Sequence, residues 1–380
     1  MTSEFHLPSL SIKGFRGIRS LEINNLGRVT LLAGKNSIGK TTILEAIRVF
    51  AARGSVQTIL NLLNTREEIF VVEDEDGDKV LIPDFSTLFY NFRPDDENGM
   101  PSPIQIKTTR HTPSSVSLNL VEAEDESTYE GVVDGGLHLN NIHVLIDQHK
   151  RTIPIGPFRY FRGARRLVPT RAKPSRNPEE WPAPIALQSL GPGLPENDKL
   201  AELWDNVALT QSEEFMINAL NLATGPKLER LAVIGDPDRL FGPFGRGNRG
   251  RRVSAKLNSE LHPVPLKRLG DGAQRLLGIA LALANCQNGI LLIDEVENGI
   301  HYSILPKLWG MIFQAAQEGN IQVIATTHSW DCISSFAHST TKTDQIGSLA
   351  RLEAGENGIY SVQYSGEDLK IAAEQKIEVR

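Results

Sequence analysis

A glycine-rich segment that ends in lysine and threonine, GKNSIGKTT, occupies residues 34–42. It matches the pattern G-x-x-x-x-G-K-[ST], in which backbone N–H groups surround phosphates, the lysine reaches the β and γ phosphates and the hydroxyl binds Mg²⁺. An apolar run precedes it and apolar residues at helical spacing follow it, which favours a helix N-terminus at the phosphates over a plain glycine turn. The predicted phosphate site comprises Gly34, Lys35, Asn36, Ser37, Gly39, Lys40, Thr41 and Thr42.

Two carboxylates end a second apolar run, in GILLIDEVENGIH at residues 289–301. Four consecutive apolar residues, Ile290–Ile293, are typical of a buried parallel strand, and ligands bind at the carboxyl ends of such strands. Asp294 would then lie beside Thr41, and these two residues would hold Mg²⁺. Glu295 would orient and deprotonate the attacking water, and Lys40 would act with it in catalysis. Such runs are also common as plain strand ends, so the interpretation depends on the glycine-rich segment.

A histidine ends a third apolar run, in IQVIATTHS at residues 321–329. Histidines at strand ends are most often structural. Because His328 comes one strand after the two carboxylates, we expect it to contact the γ-phosphate as a third catalytic residue.

A helix that is apolar on nearly every side is predicted within LKRLGDGAQRLLGIALALANC, residues 266–286. Gly270, Asp271 and Gly272 open it. A helix start with little side-chain bulk presents free N–H groups and the positive end of the helix dipole. The sequence therefore predicts a second anion site at these three residues.

Strand patterns surround these motifs. Residues 9–33 have the pattern of two strands, SLSIKGFRGIRSLEINNL and GRVTLLAG. From about residue 69 to 150, β-branched runs separated by acidic or glycine-containing turns predict an antiparallel β subdomain. Residues 164–195 hold seven of the 21 prolines, which predicts a long loop instead of a helix or strand.

The order of these patterns predicts an α/β fold in three parts. Residues 1–163 form an N-terminal lobe with the glycine-rich segment and the β subdomain, and residues 164–255 form a proline- and arginine-rich linker with a helical lobe. Residues 256–380 form a C-terminal lobe with the remaining motifs, two short strands (346–352 and 359–364) and a terminal helix.

Composition limits the function classes. The net charge of −6 argues against a protein that coats nucleic acid everywhere. The start lacks a cationic region followed by an apolar run, and no stretch of 18 uncharged apolar residues occurs, so we expect neither secretion nor a membrane span. Only two cysteines, Cys286 and Cys332, are present, which favours the reducing cytoplasm.

Two segments are rich in basic residues. They could follow nucleic-acid phosphates, or they could be solvated loops or a site for an acidic partner. Few aromatic residues other than Tyr160 and Phe161 lie between the basic ones. The basic residues are Arg159, Arg162, Arg165, Arg166, Arg171 and Lys173 in one segment and Arg246, Arg249, Arg251 and Arg252 in the other.

In this order the motifs resemble those of ABC-class ATPases of the SMC, RecF and OLD group, more narrowly the compact AAA family ATPases of bacterial defence and DNA-maintenance operons. GKNSIGKT resembles Walker A, LGDGAQR the ABC signature, ILLIDE Walker B, VENGIH the D-loop and THS the switch histidine. The opening KGFRGI is similar to the first strand of that group, in which the residue equivalent to Arg16 lies near the nucleotide.

The resemblance implies an ABC-type ATPase head, with a mixed central sheet, an antiparallel β subdomain and a helical lobe. It implies ATP and Mg²⁺ as cofactors, and two chains packed head to tail around two ATP. Gly270–Gly272 of one chain would then contact the γ-phosphate held by Lys40 of the other. Gly270 replaces the serine of the LSGGQ signature, and no glutamine is assigned to the Q-loop.

The expected function is that of an ATPase that dimerises on ATP and acts as a sensor or scaffold for a separately encoded effector, such as a nuclease of anti-phage defence. About fifty residues follow His328, too few for a nuclease domain of ordinary size. The alternative is a RecF-like DNA-binding ATPase of repair or maintenance. A transporter subunit is disfavoured by KGFRGI, the β subdomain and the missing signature serine.

Overall fold

The computed structural model of the chain describes residues 5–73, 79–92, 100–109, 114–122, 140–147, 149–154, 158–161, 166–169, 181–224, 228–235, 251–342, 347–356, 358–364 and 368. In chain order the strands are β1 (Leu10–Phe15), β2 (Ile18–Ile23), β3 (Val29–Ala33), β4 (Ile69–Glu73), β5 (Lys79–Pro83), β6 (Ile104–Lys107), β7 (Ser115–Glu122), β8 (Asn140–Ile146), β9 (His149–Pro154), β10 (Phe158–Phe161), β11 (Arg166–Pro169), β12 (Leu187–Leu190), β13 (Leu228–Gly235), β14 (Arg251–Leu257), β15 (Val264–Pro265), β16 (Ile290–Ile293), β17 (Gln322–Thr327), β18 (Gly347–Gly355) and β19 (Gly358–Tyr364). The helices are α1 (Lys40–Ala51), α2 (Val56–Thr65), α3 (Asn197–Asp205), α4 (Ser212–Thr224), α5 (Asp271–Ala284), α6 (Leu305–Glu318) and α7 (Trp330–Lys342).

A six-stranded sheet of order β12-β16-β17-β3-β18-β19 lies at the centre of the fold. Its first five strands are parallel, and β19 is antiparallel to β18. The apolar strands β3 and β16 are buried along their whole length, as the sequence predicts for inner parallel strands. Because β16, β17 and β3 are consecutive neighbours, the motifs that follow them meet at one end of the sheet.

Successive residues of the central strands point to opposite faces of the sheet and pack into two separate cores. In β16, Leu291 and Ile293 belong to the core that contains α5 and α6. Ile290 and Leu292 belong to the core that contains α1 and the antiparallel strands. The central sheet is therefore the middle of three layers, and α1 and α5 lie on its opposite faces.

The predicted antiparallel β subdomain is confirmed, and it includes the N-terminal strands. One sheet has the order β2-β1-β6-β7-β8-β9 and the other the order β11-β10-β5-β4, all with antiparallel pairing. The prediction of one strand over SLSIKGFRGIRSLEINNL was wrong, since β1 and β2 form a hairpin. Arg16 at the turn has a φ of 49° and Gly17 follows it, so the chain reverses there.

The prediction of a loop throughout residues 164–195 was also wrong in part. β11 and β12 lie within this range, and β12 pairs in parallel with β16 at the border of the central sheet. The prolines flank β12 without entering it, which leaves its backbone N–H groups free to bond with the neighbouring strand. The strands predicted near residues 346–352 and 359–364 are confirmed as β18 and β19.

Beyond β12 the chain forms the predicted helical lobe. It contains α3, α4 and a three-stranded sheet of order β13-β14-β15, and it packs against α5. In the part of the chain that the structure describes, no helix is long and apolar enough to span a membrane. The predicted terminal helix, apart from residue 368, falls outside the described residues. So do Arg162, Arg165, Arg171, Lys173, Arg246 and Arg249.

Candidate functional site

The glycine-rich segment forms the loop between β3 and α1. Gly39, just before α1, has a φ of 100°, a left-handed conformation that disfavours any residue with a Cβ. Gly34 is buried at the other end of the loop, where a Cβ would lie 3.1 Å from the carbonyl oxygen of Leu352. Within the described residues no side chain caps the start of α1, so its first N–H groups are available to an anion.

The other predicted loop residues differ in exposure. Lys35, Asn36 and Ser37 are exposed, as is Thr41, whereas Thr42 is half-buried. Ser37 has a φ of 63°, so its backbone, like that of Gly39, is left-handed. The exposed half of the loop is therefore the half that a phosphate would approach from solvent.

Lys40 is buried and folds back over the loop. Its Nζ donates to the carbonyl oxygens of Gly34 at 2.7 Å and Lys35 at 2.9 Å. Burial lowers the pKa of Lys40, and the nearby Glu295 and two further carboxylates act in the opposite direction. The ammonium group thus rests on two carbonyl oxygens that phosphate oxygens would replace.

Thr41 and Asp294 meet as the sequence predicts. Thr41 Oγ1 donates to Asp294 Oδ2 at 2.7 Å. Thr326, at the end of β17, donates to the second oxygen, Oδ1, at 2.5 Å and accepts the backbone N–H of Glu295 at 2.8 Å. The buried carboxylate of Asp294 is therefore fixed from both sides. A hydroxyl and a carboxylate are hard oxygen donors, a combination that fits Mg²⁺ shared with phosphates.

Glu295 and His328 also lie close together. His328 Nδ1 is 3.6 Å from Glu295 Oε1 and 3.7 Å from Glu297 Oε1. Glu295 has a φ of 47°, which is uncommon for a residue with a long side chain and typical of functional positions. Its side chain is 31% exposed, so water can reach the carboxylate.

Sequence reasoning missed Glu297, which holds the end of β17. Its Oε1 accepts from the Thr327 hydroxyl at 2.6 Å and from the His328 backbone N–H at 3.2 Å. The side chain is only 12% exposed. The signal in the sequence was a third carboxylate two residues after Glu295, followed one strand later by two threonines before the histidine.

Gly270, Asp271 and Gly272 are placed at the start of α5, as predicted. Gly270 has a φ of 89°, and both Gly270 and Asp271 are exposed. At Gly272 a Cβ would lie 2.9 Å from the carbonyl oxygen of Gly299 in the same chain. Glycine is therefore required at residue 272 by packing within one chain, independently of any phosphate.

Arg16 is buried beside α1. Its Nε lies 2.8 Å from Glu45 Oε2 and its Nη1 lies 2.7 Å from Glu68 Oε1. Glu45 also pairs with Arg66 at 2.8 Å. Since Glu45 follows Thr41 by one helical turn, this network joins the β1–β2 turn to the helix that begins at the loop.

Comparisons with known proteins give one family and several distant relatives. Residues 29–331 match the family described as "AAA domain, putative AbiEii toxin, Type IV TA system". A Helicobacter pylori protein named "ATP/GTP phosphatase" is 23% identical over 393 residues, which cover 92% of this chain and 96% of that protein. The SMC head bound to the C-winged helix domain of ScpA shares 13% identity over 95% of this chain and 98% of that one, with a TM-score of 0.49. The SMC head domain from Thermotoga maritima shares 14% identity over 95% of this chain and 100% of that one, with a TM-score of 0.41.

Proposed function

The chain belongs to this AAA domain family and is an ATPase, and we propose that it hydrolyses ATP with Glu295 as the general base. One observation carries the proposal: Thr41 and Asp294, 253 residues apart, share a hydrogen bond of 2.7 Å beside Glu295. This contact joins the end of the phosphate loop to the strand that carries the candidate base. The name of the Helicobacter pylori relative, "ATP/GTP phosphatase", supports a nucleoside triphosphate as the substrate.

Each of these residues has a defined task in the proposed mechanism. Lys40 leaves its two carbonyl partners and binds the β and γ phosphates. Thr41 and Asp294 would hold Mg²⁺, which would supply positive charge to the phosphates. Glu295 takes a proton from the attacking water, and His328 contacts the γ-phosphate. Arg16, held against α1 by its ion pair with Glu45, would lie near the nucleotide.

Glu295→Gln tests this assignment. The amide cannot accept the proton, so we expect phosphate release to slow by about 10²- to 10⁴-fold while ATP binding is kept. Lys40→Ala should instead lose binding itself. Glu318→Gln, an exposed substitution in α6, is the matched control and should leave turnover unchanged. Turnover of Glu295→Gln within a few-fold of the native rate would show that another group acts as the base.

We further propose that two copies pack head to tail around two ATP. The start of α5 supports this, because Gly270 and Asp271 are exposed and, within the described residues, no side chain caps the helix. Free N–H groups and the helix dipole at that point would bind a γ-phosphate held by the other copy. If ATP brings two copies together, the protein would switch between a separate state without ATP and a paired state with ATP.

The switch is proposed to act on a separately encoded effector in anti-phage defence, in the cytoplasm. The family description supports a role of this kind, since it names a toxin of a Type IV TA system. The purified protein should therefore leave DNA and RNA intact, with or without ATP. Cleavage that persists through purification and is abolished by Lys40→Ala would place the effector activity in this chain instead.

DNA binding in repair or maintenance is the second candidate, favoured by the arginine-rich segments. In the described part of these segments, Arg251 pairs with both carboxylate oxygens of Asp205 at 2.6 Å. This pairing raises the pKa of Arg251 and lowers that of Asp205. A steep loss of DNA binding between low and moderate salt would support this candidate, and no binding at low salt would remove it.

A further inference from the structure

Arg275, in the first turns of α5, is among the largest fully buried side chains of the described residues, with 0% exposure. Burial lowers the pKa of its guanidinium, while Asp294 and two other carboxylates at longer range oppose this effect. In the described part of the chain no carboxylate oxygen lies within 4.0 Å of it. Burying a cation without an ion pair is costly, so its other contacts must compensate.

Backbone carbonyl groups surround the guanidinium instead. Nη2 donates to the carbonyl oxygens of Asp294 at 2.6 Å and Glu295 at 3.0 Å. Nη1 donates to those of Gly191 at 2.6 Å and Gly193 at 3.0 Å. The guanidinium of Arg275 thus links the backbone of Asp294 and Glu295 to the segment that follows β12.

That segment, the Gly191–Pro195 loop, leads from the central sheet into α3 and the helical lobe. Gln274 of α5 donates to the Pro195 carbonyl oxygen at 2.6 Å, and Asn298 donates to that of Pro192 at 2.7 Å. Pro195 packs so closely on α5 that a Cβ at Gly278 would lie 2.7 Å from its Cγ. The loop, α5 and the residues after β16 are therefore one connected unit.

The two carbonyl groups bound by Nη2 lie on either side of the left-handed turn at Glu295, whose φ is 47°. A turn of this kind persists only where its surroundings hold it. Among the described residues, the side chains that do so are Arg275, through the carbonyl oxygens, and Thr326, through the Glu295 N–H. The Asn298 N–H also donates to the Glu295 carbonyl oxygen at 3.0 Å. The position of Arg275 in α5 therefore contributes to the direction in which the Glu295 carboxylate points.

We propose that Arg275 is a positioning residue that orients the Glu295 carboxylate. Through Arg275, movement of α5 and the Gly191–Pro195 loop would be transmitted to Glu295. This inference rests on the proposed role of Glu295. The guanidinium is suited to the task because its fixed, planar set of donors spans four carbonyl groups, which a lysine ammonium cannot do.

Two substitutions, Arg275→Lys and Arg275→Met, test the inference. Arg275→Lys keeps the charge and Arg275→Met keeps much of the volume. Arg53→Met is the matched control, because Arg53 is also buried and bonds to a backbone carbonyl group, that of Ala183 at 3.3 Å, outside the site. We measure kcat and KM, ATP affinity by equilibrium dialysis in the Glu295→Gln background, and the urea midpoint of each protein.

Both Arg275 variants should lose kcat by about 10- to 100-fold, the effect of a misplaced catalytic group, with ATP affinity within about twofold of the parent. The control should keep its kcat even if its urea midpoint falls. In single-turnover experiments, adding Arg275→Lys to Glu295→Gln should not lower the rate of ATP hydrolysis further, because Arg275 acts through Glu295.

Native kcat in Arg275→Lys, or a full additional loss in the double variant, would overturn the inference. Equal losses of kcat and ATP affinity would do the same, since they would indicate a purely structural role. A failure of the proposed function gives a different result, in which Glu295→Gln itself turns over at the native rate.

Discussion

The Thr326 hydroxyl donates to Asp294 Oδ1 at 2.5 Å, so the end of β17 fixes the carboxylate that ends β16. The same hydroxyl accepts the backbone N–H of Glu295 at 2.8 Å. One side chain on a neighbouring strand therefore orients both residues of the carboxylate pair. The proposed Mg²⁺ ligand and the candidate base are thereby linked to the strand that His328 follows.

Thr326→Val should raise the Mg²⁺ concentration that ATP hydrolysis requires. Valine has the shape of threonine but leaves one oxygen of buried Asp294 without its donor, at a cost of about 1–3 kcal/mol. We expect the Mg²⁺ concentration for half-maximal ATPase activity to rise about tenfold, which a magnesium titration of phosphate release measures. Thr340→Val, which removes a buried hydroxyl that donates to the Ala337 carbonyl group, is the control. An unchanged Mg²⁺ requirement in Thr326→Val would contradict the assignment.

Glu297→Ala should misplace His328. The carboxylate holds the Thr327 hydroxyl and the His328 backbone N–H, and both lose their acceptor in the alanine variant. Glu297→Gln keeps one acceptor oxygen and should retain much more of kcat. In a double-mutant cycle, Glu297→Ala and His328→Ala should be non-additive, because both disable the same group. Independent, additive effects on kcat would show that Glu297 does not act through His328.

Gly272→Ala should impair the start of α5 from within the chain. The new Cβ would meet the Gly299 carbonyl oxygen at 2.9 Å, and relieving the contact costs about 1–3 kcal/mol. We expect a lower urea midpoint and slower ATP hydrolysis. Gly310→Ala is the control, since nothing lies within 4 Å of a Cβ there and alanine favours its helix, α6. Equal stability of the two variants would contradict the packing described for Gly272.

The two buried thiols should react slowly. Burial raises the pKa of Cys286 to about 11 and raises that of Cys332 above its ordinary value. At pH 8 a thiol-specific reagent should therefore modify neither until the protein unfolds. Because the folded pKa of Cys286 is raised, its contribution to stability is fully present below about pH 9 and is lost as the pH rises towards 11. Rapid labelling of one thiol in the native protein would show that it is accessible.

The sequence was sufficient for the parts of the site that depend on local pattern. A glycine-rich loop and an apolar run ending in Asp-Glu are each contiguous in the chain, and the structure places Lys40, Thr41 and Asp294 at one end of the central sheet. Thr326 and Arg275 were not found, because their importance depends on which strand lies beside β16 and on where α5 packs. An arginine inside an otherwise apolar helix was the visible sign of a buried cation, but its partners are backbone atoms that no sequence pattern marks.

The β1–β2 hairpin and β12 were missed for related reasons. Buried apolar residues recur at short intervals in both strands of the hairpin, so apolar content does not mark the turn at Arg16 between them. β12 has only four residues and lies among prolines, and only its pairing with β16 makes it a strand. Pairing between distant segments is a property of the whole fold.

ATP bound at the loop before α1 is proposed to join two copies of the chain. The most direct test is the solution mass of the Glu295→Gln protein, measured by light scattering on a sizing column with and without ATP and Mg²⁺. We predict that ATP doubles the mass from the 41.9 kDa of one chain, and that adding Lys40→Ala prevents the doubling. A mass that stays at one chain while ATP is bound would contradict the claim.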